Sequence, residues 1–204
     1  KLLYSLSVYD FRGFLPEYIN AKRQVEEQEL IMSGEQKREM YALLNKNAEP
    51  ANRYYKYDFF FDNCATRIRD VFPRTFGSGF IYGLSIPTTS KETFRDVINR
   101  YFHKDHWTRL GVNILLGSKI DRVMTNSDIM FLPDYLRDGV AGATVAGHKI
   151  ARPSKVMLTG GQAAEAGINQ PLILTCFIAL LTILGLTQKK LKALGRVMTF
   201  LLLF

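Results

Sequence analysis

The run Asp62-Asn63-Cys64-Ala65-Thr66-Arg67 holds the residues best suited to chemistry. A cysteine in the first turn of a helix feels the positive end of the backbone dipole and the unpaired N–H groups there, and both favour its thiolate. Arg67 and Arg69 add positive charge nearby. The same N–H groups suit the oxyanion of a tetrahedral intermediate, so Cys64 reads as a candidate thiol nucleophile, with Asn63 as helix cap or oxyanion helper and Arg67 as a phosphate contact or thiolate stabiliser. The competing reading is that Cys64 is a small buried apolar residue, as most free cysteines are. Local sequence leaves the two open.

A thiol nucleophile needs a base. His103, His106 and His148 are the three histidines, and none stands at a motif spacing from Cys64. His103 follows an apolar helical face and His106 precedes Trp107, which reads as packing or capping for both. His148 is flanked by glycine and should be exposed. These histidines and the scattered carboxylates have no metal-ligand spacing, so neither a metal nor a cofactor is expected. Two cysteines exclude a disulfide scaffold and a four-cysteine zinc site. Cys176 sits in an apolar stretch and is not expected to pair with Cys64. Arg53, Arg67, Arg69 and Arg74 read either as a phosphate head-group cluster or as a solvated face. The aromatic run Tyr54 to Phe61 reads as core or as membrane-interface residues.

The elements that must position Cys64 follow from the same patterns. Asp62-Asn63 should cap a short helix over Cys64–Phe72, stopped by Pro73, with a loop from Gly77 to Pro87. Lys1 to Val8 could be a strand. Glu17–Met32 is rich in helix formers, and Ser33-x-x-Gln36 has capping-box spacing, so a helical hairpin reaching about Lys46 is expected. Ser90 should cap a helix with Phe94, Val97, Ile98, Tyr101 and Phe102 on one face. Thr108 to Leu116 and a segment opened by Thr125-x-x-Asp128, carrying Ile129, Leu132, Tyr135 and Leu136, read as further helices. Gly147 to Leu158 reads as an extended hairpin. The fold class is α+β with helix dominant.

The 204 residues suit one domain plus an appendage, and 23% charged with 47% apolar residues excludes a disordered chain and a polytopic bundle. The net charge of +8 permits nucleic-acid binding, but part of it is a membrane signal. Leu172 to Leu186 is almost wholly apolar, and Lys189, Lys190, Lys192 and Arg196 then precede a second apolar run, Val197 to Phe204. Basic residues between two apolar segments mark a cytoplasmic loop and put the preceding domain outside the cytoplasm. We therefore expect an exported domain over residues 1–158, a linker over 159–170, a transmembrane helix over 171–187, a cytoplasmic loop over 188–196, and the start of a second span over 197–204. The chain reads as the middle of a longer protein, cut at both ends. With no basic and aromatic platform, nucleic acid is not an expected partner.

Asn52-Arg53-Tyr54-Tyr55-Lys56-Tyr57-Asp58-Phe59-Phe60-Phe61-Asp62-Asn63-Cys64-Ala65-Thr66-Arg67-Ile68-Arg69-Asp70 resembles the signature of the Lnb-type lipoprotein N-acyltransferase family, envelope proteins of Bacteroidota type. Phe94-Arg95-Asp96, His106-Trp107, Leu115-Leu116-Gly117, Asp121-Arg122 and Met130 to Leu136 are similar to it as well, so the resemblance spans roughly residues 1 to 145. It implies a periplasmic cysteine-hydrolase or acyltransferase-like domain followed by inner-membrane helices. It further implies that Cys64 takes an acyl chain from a phospholipid as a thioester and passes it to the α-amino group of a diacylated lipoprotein's N-terminal cysteine. The family's histidine lies upstream of its cysteine in a Gly-His segment. No histidine precedes Cys64 here, so that segment is expected to precede Lys1. A cysteine-dependent cell-wall amidase or peptidase, and a non-catalytic envelope module with Cys64 buried, are the rival expectations.

Overall fold

The computed structural model describes residues 2–102, 107–160 and 169–187, with backbone alone for 185–187. His103, His106, the expected loop 188–196, the apolar run 197–204 and most of the linker lie outside the described residues. The fold is mixed α/β, and helical residues outnumber strand residues. In chain order the elements are β1 (Leu3–Ser5), α1 (Phe11–Asn20), β2 (Val25–Glu27), α2 (Gly34–Ala48), β3 (Tyr54–Lys56), α3 (Cys64–Phe76), β4 (Phe80–Ile81), α4 (Phe94–Ile98) and α5 (Trp107–Leu116). They continue with α6 (Asn126–Ile129), α7 (Pro133–Ala141), β5 (Thr144–Val145), β6 (His148–Lys149), β7 (Lys155–Leu158) and α8 (Gln170–Thr187). Two compact units result, Lys1–Lys91 with Met124–Ala163, and Glu92–Val123 with Ala164–Phe204.

In the first unit α3 is the central helix. It lies against α2, α7 and β4. Its inner face, Ala65, Val71, Phe72 and Phe76, is buried, as are Met130, Phe131, Leu136 and Val140 around α7. Phe72, Phe76 and Phe80 form a ring cluster with centroids 5.7–6.4 Å apart. Three small antiparallel sheets surround the helices: β1 with β3, β2 with β7, and β4-β5-β6. Tyr4 opposes Tyr55 in the first of them.

Local chemistry explains where the elements depart from the sequence expectations. The expected helical hairpin is replaced: α1 starts earlier, at its Asp10 cap, and Val25–Glu27 is a strand. Pairing with β7 and the Glu26–Arg137 ion pair at 3.1 Å override the helix propensity of this glutamate-rich stretch. Helix α3 continues through Pro73 to Phe76. A proline leaves the carbonyl four residues earlier without its N–H donor. The Tyr82 hydroxyl donates to that carbonyl, on Arg69, and repairs the gap.

Ser90 does not cap α4; Thr93 does, in a capping box with Asp96. Phe94, Val97 and Ile98 are buried as the periodicity requires, whereas Tyr101 lies beyond the helix and is exposed. Thr125 and Asp128 form the expected box, but α6 ends at Ile129 and Pro133 opens a separate helix, α7, at a position where its missing N–H costs nothing. The expected hairpin over Gly147 to Leu158 is also corrected. β6 pairs back with β5 through Ala146-Gly147, both at positive φ, and β7 pairs with β2.

In the second unit Arg95 binds the Asp121 carboxylate at 2.6 Å, the Asn113 side-chain oxygen at 2.6 Å and the Gly117 carbonyl at 2.7 Å, which ties α4 to the end of α5. The expected span over 171–187 falls on α8. Its 18 residues rise about 27 Å, short of a hydrocarbon layer of about 30 Å, and it opens on Gln170 and Pro171. Among the described residues no helix is long and apolar enough to cross a membrane.

Candidate active site

Asn63 sets the position of Cys64. Its side-chain oxygen accepts from the Thr66 N–H at 2.9 Å, and its own N–H donates to the Thr66 hydroxyl at 2.8 Å. Its amide group donates to the Phe59 and Phe131 carbonyls, both at 2.9 Å. Asn63 is buried and both its amide hydrogens are engaged, so it caps and anchors α3 and has no donor left for an oxyanion. Cys64 is the first residue of α3, and it is exposed. The backbone N–H groups of Cys64 and Ala65 find no acceptor among the described residues and remain for a ligand.

Two tyrosines of the aromatic run, Tyr55 and Tyr57, are close enough to Cys64 to feel its charge. Burial raises Tyr55 and Tyr57 above the ordinary phenol range, and the negative charge of a Cys64 thiolate is the next contribution to each. Both phenols therefore stay protonated and can donate. The Tyr4 ring stacks on Tyr57 at 4.3 Å and lies 6.2 Å from Tyr55. The signal was present as the two-residue spacing of Tyr55 and Tyr57 about β3, which puts both on one face. Arg67 holds Asp62 through two bonds, at 2.7 and 3.1 Å, and lies over the Tyr55 ring at 3.7 Å.

Cys64 lies where two clefts meet. The larger, about 840 Å³, has an apolar wall of Leu30, Ile68, Phe72, Leu136 and Val140 and a polar wall that includes Gln24, Glu26, Asp134 and Arg137. Partial burial pushes the Glu26 carboxyl up, but hydrogen bonds from Ser154 and Gln24 and the Arg137 charge outweigh it and hold it below the ordinary carboxylate range. The smaller, about 540 Å³, is lined by Arg53, Tyr55, Asp62, Arg67, Asp70 and Arg74, among others. Arg69 is engaged elsewhere, with Asp70 at 2.8 Å and the Ser127 carbonyl at 3.0 Å. His148, exposed in β6, lines neither cleft. No group of three or more metal-ligating side chains occurs among the described residues.

Residues 1–102, half of the chain and the half that carries α3 and Cys64, match the family model described as the Lnb N-terminal periplasmic domain. The chain belongs to the Lnb family. The matched residues are thus the periplasmic part of an Lnb-family, membrane-associated protein. The resembling segments from His106 to Leu136 lie beyond the matched residues, although Phe131 in that stretch is the carbonyl that anchors Asn63. No curated protein and no solved structure matches the chain.

Proposed function

We propose that this Lnb-family protein is a lipoprotein N-acyltransferase of the inner membrane that works through a Cys64 thioester. The observation that carries the reading is the exposure of Cys64 at the first turn of α3, at the meeting point of two clefts. A structural cysteine would be buried there. Family membership supports the substrate class.

In the first half-reaction a base takes the Cys64 proton and the thiolate attacks the ester carbonyl of a phospholipid. The Cys64 and Ala65 N–H groups, with Tyr55 and Tyr57, face the oxyanion that develops. The ester C–O bond breaks, the lysophospholipid oxygen takes back the proton, and the acyl chain stays on sulfur. In the second half-reaction the α-amine of a diacylated lipoprotein's N-terminal cysteine attacks the thioester. The base takes the proton that the amine loses, the C–S bond breaks, an amide forms, and the thiolate is regenerated beside the protonated base. Splitting the transfer this way replaces one hard step by two easier ones. The base is the upstream histidine that the family resemblance implies.

The apolar wall of the larger cleft suits an acyl chain and separates this reading from a peptidase, which would want an open polar groove. Helix α8 supports membrane anchorage, with Leu172, Ile173, Phe177, Leu180 and Ile183 exposed and no charged residue along it.

The test is acyl transfer from a phospholipid to a diacylated lipopeptide by the purified protein. Wild type should form the triacylated product, and Cys64→Ala and Cys64→Ser should not. Hydrolysis of cell-wall peptides without lipopeptide acylation would replace this reading with the amidase.

A further inference from the structure

The two clefts that meet at Cys64 differ in charge. Among the residues lining the larger, Arg137 meets two carboxylates, Glu26 at 3.1 Å and Asp134 at 3.9 Å, so negative charge is in excess. In the smaller the balance reverses. Asp62 is taken by Arg67 and Asp70 by Arg69. Arg53 and Arg74 have no carboxylate partner among the described residues.

Arg53 is held at the cleft by its neighbours. Its Nη2 donates to the Tyr54 hydroxyl at 2.9 Å, and its guanidinium lies over the Tyr54 ring at 4.9 Å. Its Nε is buried and has no acceptor among the described residues. A buried cationic donor left unpaired is costly, and native proteins rarely keep one without a use. The Arg53 guanidinium lines the smaller cleft with no carboxylate to neutralise it among the described residues, its planar donor set suits phosphate oxygens, and Arg74 lines the same cleft with a second such charge.

We infer that the smaller cleft is a phosphate subsite in which Arg53 and Arg74 hold the phosphate of a phosphoester ligand beside Cys64. The carboxylate-rich cleft on the other side repels that group. Resting on the acyl-transfer reading, the subsite places the donor's head group on the smaller-cleft side of Cys64 while its acyl chain lies along the apolar wall of the larger cleft.

The test is calorimetric binding to the Cys64→Ala full chain of two probes, glycerol 3-phosphate and a short-chain phosphatidylglycerol below its micelle concentration. Arg53→Gln with Arg74→Gln should weaken binding at least about tenfold. Arg152→Gln, which removes one positive charge from an exposed pair with Glu29, should leave it unchanged. Equal binding of both probes identifies any phosphoester as the ligand, and binding of the lipid alone identifies a phospholipid head group. Binding of neither probe, or equal binding by the double variant, overturns the subsite. A phosphate-free nitrophenyl acyl ester separates this result from the acyl-transfer reading. The double variant with Cys64 intact should still be acylated by that ester, which also shows that it is folded. Failure of wild type to be acylated by any donor would remove the acyl-transfer reading while the binding result stands by itself.

Discussion

The buried Asn63 side chain donates to the Phe131 carbonyl at 2.9 Å, joining residues 68 apart in sequence and tying the turn that presents Cys64 to the segment that opens α7. Asn63→Ala removes the cap and leaves the Phe59 and Phe131 carbonyls without their donor, so it should cost about 2–4 kcal/mol. Asn63→Asp keeps a capping oxygen but loses both donors. Chemical denaturation should find it nearly as unstable as the alanine variant. Full recovery by aspartate would mean that the residue only caps.

Tyr55 and Tyr57 should help the thiol chemistry as donors. Tyr55→Phe and Tyr57→Phe keep the rings and the Tyr4 stack but remove the hydroxyls, and each should slow Cys64 acylation about fivefold, the worth of one hydrogen bond of about 1 kcal/mol. Burial and the Cys64 charge raise both phenols, so their neutral form persists above the ordinary phenol range. Burial also raises Tyr82, so ultraviolet titration should show three fewer tyrosines ionising in the ordinary range than in the unfolded chain, and two fewer in a Tyr82→Phe background. Normal titration of both would place them away from the thiol.

How much of this was legible in the sequence depends on the range of the interaction. Asn63, Ser33 and Thr125 were readable as caps because a capping side chain meets a backbone only three residues away. Phe94, Val97 and Ile98 were readable as a buried face for the same local reason. Glu26 was read as helical because its partners Arg137 and Ser154 lie more than a hundred residues downstream, where no local pattern reports them. The two clefts were invisible, since each collects side chains from several elements around one helix end. Arg53 and Arg74 could be noted as basic, but only the structure shows that nearby carboxylates are already taken by Arg67 and Arg69.

Acid should weaken the first unit partly through Glu26. Its carboxyl is held below the ordinary range in the fold, so it contributes stability above the unfolded-state value of 4.5 and loses it as pH falls through the lower folded value. Glu26→Gln should therefore flatten the acid limb of a melting-temperature profile and lower stability most at neutral pH. An unchanged acid limb would contradict the Arg137 and Ser154 contacts.

Gly83 and Gly142 approach backbone to backbone. A Cβ on Gly83 would lie 2.5 Å from the Gly142 Cα and 2.7 Å from its carbonyl carbon, with no flexible side chain to give way. Gly83→Ala should cost about 1–3 kcal/mol. Gly111 in α5 has nothing within 4 Å of such a Cβ, and Gly111→Ala should stabilise by about 0.5–1 kcal/mol. Denaturant midpoints of the two variants should move in opposite directions.

The central claim is that Cys64 carries an acyl chain. Intact mass spectrometry of the purified protein after incubation with phospholipid, wild type against Cys64→Ala, tests it most directly. Wild type should gain the mass of one acyl chain, released by hydroxylamine and absent from the variant. No adduct on wild type, with Cys64 also slow to react with alkylating reagents, would contradict it.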